Sequence, residues 1–296
     1  MALVATLVAN PSNPVLTPVI AEQAADTVKA SGLYWLADGI ACDIALRDGT
    51  DADVARADIL TVIGSAAIDL VVQDAATRRK KLLIADMDST MIGQECIDEL
   101  AAEVGLKEKV AAITARAMNG EIAFEPALRE RVALLKGLPI SVVDEVISKR
   151  ITLTPGGPEL IATMRSKGHY TALVSGGFTV FTGPIAKTLG FNENRANVLL
   201  AENGVLSGSV SEPILGKQAK VDALNDISDK LGISPDDALA VGDGANDLGM
   251  LQLAGSGVAL HAKPTVAAQA KIQINHGDLS ALLYIQGYRK TDFVTP

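Results

Sequence analysis

Asp86 and Asp88 stand one residue apart at the end of a short apolar run, Leu82-Leu83-Ile84-Ala85. A carboxylate is a competent nucleophile toward phosphorus and gives an aspartyl-phosphate. Asp86 has that position. Asp88 turns back toward the same spot after the strand and suits a general acid that later serves as general base. Two carboxylates this close resist joint ionisation. At ~4 Å and an effective dielectric of ~20 they repel by about 4 kcal/mol, or roughly three pKa units. A divalent cation beside Asp86 keeps it ionised, while Asp88 stays protonated for the leaving group. The plain alternative is a strand end with incidental acids, and the later stretches bear on the choice.

Two further apolar runs end in polar loops. Tyr170 to Val174 leads into Ser175-Gly176-Gly177-Phe178. A hydroxyl and glycine amides at a strand end, with a helix following, suit phosphate oxygens. Asp237 to Val241 leads into Gly242-Asp243-Gly244-Ala245-Asn246-Asp247. Asp243 offers a hard oxygen to a small cation such as Mg²⁺, and Asp247 can orient that cation or its waters. Asn246 can donate to phosphate or hold the loop. The loop lacks EF-hand spacing. A phosphate site also needs a cation, and a helix predicted over 217–230 carries two candidates, Lys217 and Lys220. His169, His261 and His276 are scattered and receive no catalytic role.

The elements that must position these residues alternate. Strands buried on both faces, separated by helices, predict an α/β, doubly wound parallel sheet with its site along the C-terminal edge. Between the first and second of these strands come several amphipathic helices: Glu95–Val104, Lys107–Met118, Phe124–Lys136 and Ser141–Arg150. They predict an inserted helical cap at about 94–152. Ala196–Ala201 and Val205–Val210, around Asn203-Gly204, predict a hairpin on the edge of the core. Residues 1–79 follow the order βαββαβ, which predicts a ferredoxin-like α+β domain ahead of a core spanning 80–296.

The 296 residues are 48% hydrophobic but only 3% aromatic, so small aliphatic side chains build the interior. The net charge of −9 argues against a nucleic-acid partner. Two distant cysteines, Cys42 and Cys96, fit a reducing, cytoplasmic setting. No signal peptide or membrane-length apolar segment is visible, so no membrane partner is expected.

The stretch DMDST followed by Glu95, then SGGF, Lys220 before VDAL, and the GDGxND loop resemble, in order, the four motifs of haloacid dehalogenase-like phosphatases. They look like the phosphoserine phosphatase branch. The resemblance implies a Rossmann-like core and Mg²⁺ held by Asp86, the backbone carbonyl of Asp88 and Asp243, with Asp247 behind them. It implies that Ser175, Gly176, Lys220 and Asn246 hold phosphate. In that family a Glu at the position of Glu95 contacts the substrate amino group, and an Arg at that of Arg131 its carboxylate. Arg offers a carboxylate a bidentate fork. Met118 and Phe124 are implied as substrate neighbours. The implied activity is hydrolysis of O-phospho-L-serine to serine and phosphate, the last step of serine biosynthesis. Residues 1–79 resemble, by element order, the ACT-like modules that precede some bacterial members. Such a module is expected to stabilise or to form a homodimer, and a sharper reading makes it an amino-acid sensor. Two alternatives stand: a phosphatase or phosphotransferase for another small phosphorylated amino compound, and an amino-acid-sensing binding protein.

Overall fold

The computed structural model describes residues 2–118 and 121–296. The N-terminal part contains β1 (Leu3–Ala9), α1 (Pro18–Thr27), β2 (Gly32–Ala37), β3 (Ala41–Ala45), α2 (Ala52–Ile63) and β4 (Ile68–Asp74). Its four strands lie in the order β2-β3-β1-β4, and every neighbouring pair is antiparallel. This is the ferredoxin-like arrangement expected for βαββαβ. The period of two along β1 sorts its side chains. Ala5, Leu7 and Ala9 face the cluster that includes Ala21, Ala24, Ala55 and Ile59 of the helices. Val8 joins the cluster built by the C-terminal part of the chain. There the Asp69 carboxylate, 4% exposed, accepts hydrogen bonds from the backbone N–H groups of Asn275, His276 and Gly277. The Gln73 amide donates to the Ile285 carbonyl at 2.6 Å.

From residue 82 the chain forms β5 (Leu82–Ala85), then α3 (Cys96–Glu103), α4 (Lys107–Met118), α5 (Phe124–Ala133) and α6 (Val142–Lys149). It returns through α7 (Gly157–Ser166) to β6 (Tyr170–Phe178), α8 (Thr179–Leu189) and β7 (Glu193–Asn197). A hairpin, β8 (Leu199–Glu202) and β9 (Val205–Val210), precedes α9 (Lys217–Leu231). The chain closes with β10 (Ala238–Gly242), α10 (Leu248–Leu253), β11 (Ser256–Leu260), α11 (Pro264–Ala267), β12 (Ile272–Ile274) and α12 (Ala281–Tyr284).

Six strands form one parallel sheet in the order β12-β11-β10-β5-β6-β7. All four residues of β5 and all five of β10 are buried, because helices cover both faces. The central strand β5 has β10 on one side and β6 on the other. The three loops that follow these strands must therefore meet, although they are far apart in sequence. The order reverses at β5, which is where a doubly wound sheet opens a crevice.

One expectation is corrected. Residues 196–201 do not form a single strand of an edge hairpin. Glu193–Asn197 pairs with β6 as the edge of the main sheet. The hairpin β8–β9 is a separate two-stranded unit that docks on the cap. The Leu206 carbonyl accepts from Gly137 N–H at 2.8 Å, and Leu206 N–H donates to the Leu138 carbonyl at 2.8 Å. The division falls at Asn197, whose side-chain amide donates to the Gly176 and Leu215 carbonyls and so holds the chain to the core.

Candidate active site

β5 ends at Ala85, and Asp86 follows with its N–H still donating to the Val241 carbonyl of β10 at 3.0 Å. That bond anchors the nucleophile candidate to the rigid sheet. Its Oδ1 accepts the Met87 N–H at 2.7 Å, and its Oδ2 lies 2.8 Å from Lys220 Nζ. Burial and the neighbouring Asp247 push the Asp86 carboxyl well above its ordinary range, against the pull of Lys220.

Asp88 faces the same space from the turn beyond the strand. Its Oδ1 accepts the Cys96 N–H at 2.8 Å, and its Oδ2 accepts the Ser175 hydroxyl at 3.2 Å. Burial raises this carboxyl too, which suits a proton donor. Gly177 is required here by space: a Cβ would stand 2.8 Å from Asp88 Oδ2.

The β10 loop supplies a cluster. Asp86, Asp243 and Asp247 each place a carboxylate oxygen within 4.8 Å of the others. Asp247 is fully buried. Its Oδ2 accepts the N–H groups of Asp243 and Gly244, and its Oδ1 lies 2.6 Å from Lys220 Nζ. Burial and Asp247 push the Asp243 carboxyl up to about 6. Burial pulls the Lys220 ammonium down, but Asp247 and Asp86 outweigh it and hold the group above its usual range. Lys220 falls on the buried stripe of α9 with Ala223, Leu224 and Ile227, whereas Lys217 is exposed. One ammonium among three carboxylates leaves net negative charge in a space of hard oxygen donors. That donor set fits a small divalent cation better than a further side chain.

A cavity of about 920 Å³ opens over these groups, between the sheet edge and the cap. Asp86, Asp88, Ser175, Gly176, Asn246 and Asp243 line its floor. Glu95, Phe124 and Arg131 line it from the cap side. Glu95 stands at the N-terminal boundary of α3 without a side-chain bond to the helix, and its carboxylate accepts the Ser89 hydroxyl at 2.7 Å. Burial, then Asp88, push its carboxyl up to about 7. Arg131 sits on the buried stripe of α5 beside Ala127, Leu128 and Val132. Its Nε donates to the Ala127 carbonyl at 3.1 Å and its Nη1 to the Thr114 hydroxyl at 3.0 Å. The Phe124 ring lies over Gly176, where a Cβ would stand 3.1 Å from the ring. The expected contact of Met118 lies outside the described residues, because its side chain is not among them.

Sequence reasoning left the positioning roles of several groups unassigned. Thr90 donates to Asp243 Oδ1 at 2.9 Å and so ties the first loop to the third. Ser89 holds Glu95 from a left-handed backbone with φ 54°. Both lie inside the quoted DMDST stretch, and their hydroxyls are the signal. The wall formed by Pro213 to Gln218 had no such signal.

The three converging loops have known counterparts. A family model for haloacid dehalogenase-like hydrolases matches residues 83–252. The chain belongs to that family. This haloacid dehalogenase-like hydrolase is 46% identical over 227 residues to a phosphoserine phosphatase of Polaromonas sp., covering 75% of the chain and 94% of that relative. A solved phospho-aspartyl intermediate analogue of phosphoserine phosphatase is 43% identical, with a TM-score of 0.66 over 70% of the chain and 98% of its own. A HAD family hydrolase from Salmonella enterica serovar Typhi matches 97% of the chain and 98% of its own length. Its TM-score is 0.85 at 27% identity. The hydrolase fold with its N-terminal sheet is thus shared along nearly the whole chain. Among the described residues, no helix is long and apolar enough to cross a membrane.

Proposed function

We propose that the protein is a phosphoserine phosphatase, hydrolysing O-phospho-L-serine to serine and phosphate. The observation that carries the reading is one cavity lined by two sets of groups. Asp86, Asp88 and Ser175 suit phosphoryl chemistry, and Glu95 and Arg131 carry charges opposite to an ammonium and a carboxylate. The relatives named above support the same substrate.

In this reading an Asp86 oxygen attacks phosphorus in line. The bond from phosphorus to the seryl oxygen breaks, and its electron pair leaves with that oxygen, which takes a proton from Asp88. Water then attacks the aspartyl-phosphate while Asp88 accepts its proton, so that phosphate leaves and both carboxyls return to their starting states. The Lys220 ammonium, the amides around Ser175 and Gly176 and the Asn246 side chain then bind the equatorial phosphoryl oxygens. Asp86 and Asp243 would hold Mg²⁺, with Asp247 beside them and, as the family resemblance implies, the Asp88 backbone carbonyl as a further donor. Bound there, it would offset negative charge on the phosphoryl group. Phe124 closes the cap side.

Residues 1–79 are read as a stabilising module, supported by the Asp69 and Gln73 bonds to the C-terminal segment. Two unpaired, buried cysteines agree with a cytoplasmic setting.

The test is phosphate release over a panel of phosphorylated small molecules. Phosphoserine is expected to have the highest kcat/KM. Turnover of other esters with none for phosphoserine overturns the assignment, and phosphate transfer to a second alcohol in place of water would favour a phosphotransferase.

A further inference from the structure

Three cap helices meet at one hydroxyl. Thr114 of α4 is 6% exposed. Its Oγ1 accepts a hydrogen bond from Arg131 Nη1 of α5 at 3.0 Å and lies 3.3 Å from Asp98 Oδ1 of α3. Its single proton has two acceptors in reach, that carboxylate and the Val110 carbonyl one turn back at 3.1 Å. Arg131 and Thr114 both line the cavity.

Burial opposes the charge on Arg131, and Asp98, Glu95 and Asp88 counter that opposition in that order. Asp98 thus exerts the strongest pull among the carboxylates, yet its link to Arg131 runs through the Thr114 oxygen. A hydroxyl satisfies a guanidinium N–H without neutralising its charge. A carboxylate in direct contact would neutralise it and leave little field for a ligand. Without the hydroxyl, a buried Nη1 lacks an acceptor, and the guanidinium turns to the nearest anion.

We propose that Thr114 is a positioning residue that keeps Arg131 turned to the cavity and apart from Asp98, and so sets selectivity for substrates bearing a carboxylate. This rests on the reading of Arg131 as the group that pairs with the substrate carboxylate. Asp98 is the counter-charge that makes burial of Arg131 tolerable, and Thr114 is the spacer that stops the two from closing on each other.

The test uses the full chain with phosphoserine and phosphoethanolamine, which lacks the carboxylate. Thr114→Val keeps the shape and removes the hydroxyl. It is expected to raise KM for phosphoserine by about ten- to a hundredfold, the range for a hydrogen bond to a charged group. Its kcat should stay within a few fold, and kcat/KM for phosphoethanolamine should not move. Thr114→Ser restores the parent values. Adding Asp98→Asn to Thr114→Val recovers part of the loss, because the competing anion is gone. Equal losses on both compounds, or no recovery in Thr114→Ser, overturn the proposal in favour of plain cap packing. Arg131→Ala is measured beside them. If it does not separate the two compounds, the reading of Arg131 fails. If it does and Thr114→Val does not, only the role of Thr114 fails.

Discussion

Lys220 Nζ stands 2.8 Å from Asp86 Oδ2, inside a site where both side chains are almost wholly buried. The ammonium comes from a helix and the carboxylate from a strand end, so the pair exists only once the sheet has closed around them. The same ammonium reaches Asp247 at 2.6 Å. Removing it strands two buried carboxylates, a change that costs ~3–5 kcal/mol for a broken buried pair. Lys220→Met is therefore expected to lose most turnover and to unfold at lower urea in a metal-free buffer. Parent-like phosphate release in this variant would remove Lys220 from the phosphate site.

Asp86→Asn should keep the fold and end turnover, since an amide is a poor nucleophile toward phosphorus. Labelled phosphoserine and an acid quench check this directly: the parent traps label on protein and the variant does not. Label retained on Asp86→Asn refutes the covalent role.

The Asp86–Asp243–Asp247 cluster predicts dependence on a divalent cation. Exhaustive EDTA treatment is expected to stop phosphate release, and added Mg²⁺ to restore it. Full activity after chelation, with metal content verified as nil, contradicts the assignment of the cluster.

Glu95 gives a prediction of stability against pH. Its carboxyl is pushed from 4.5 up to about 7, first by burial and then by Asp88. The folded state thus binds a proton that the unfolded state has already released between those values. The stability contributed by the protonated carboxyl is whole below 4.5 and is lost as pH rises through about 7. Glu95→Gln cannot ionise, so its advantage over the parent grows across that window. One pKa unit is about 1.4 kcal/mol, and allowing for partial solvent access the gain at pH 8 is ~1–3 kcal/mol. The same variant should bind phosphoserine and phosphoethanolamine more weakly, because both carry the ammonium. Thermal unfolding at pH 5 and pH 8 measures the first effect. A variant no more stable than the parent at pH 8 shows that Glu95 is not held in a destabilising site.

Asp69 joins the N-terminal sheet to the loop after β12 by accepting three successive backbone N–H groups. Asp69→Ala leaves those donors unpaired at an interface and is expected to cost ~1–3 kcal/mol. Urea unfolding is the measurement. An unchanged midpoint would mean that the two parts of the molecule are not coupled through this contact.

The main strands and helices were legible because their apolar spacing is strong. β5, β10 and the cap helices fall within a few residues of expectation, and the βαββαβ order of residues 1–79 folds as the predicted antiparallel sheet. The hairpin at 199–210 was misplaced because alternation alone does not say which sheet a strand joins. Asn197 and the Gly137–Leu206 contact decided that. Local sequence also determined the reactive types: Asp86 and Asp88 one residue apart, and an acidic glycine loop at Asp243 to Asp247. Their chemistry is carried by residue identity and by position at a strand end, both of which are local. What only the tertiary structure decided is which distant groups share a charge environment. It buried Lys220 while leaving Lys217 in solvent, and it set Thr114 between Asp98 and Arg131. Those choices depend on strand order and helix docking, and electrostatic coupling acts through space, so no local pattern encodes it.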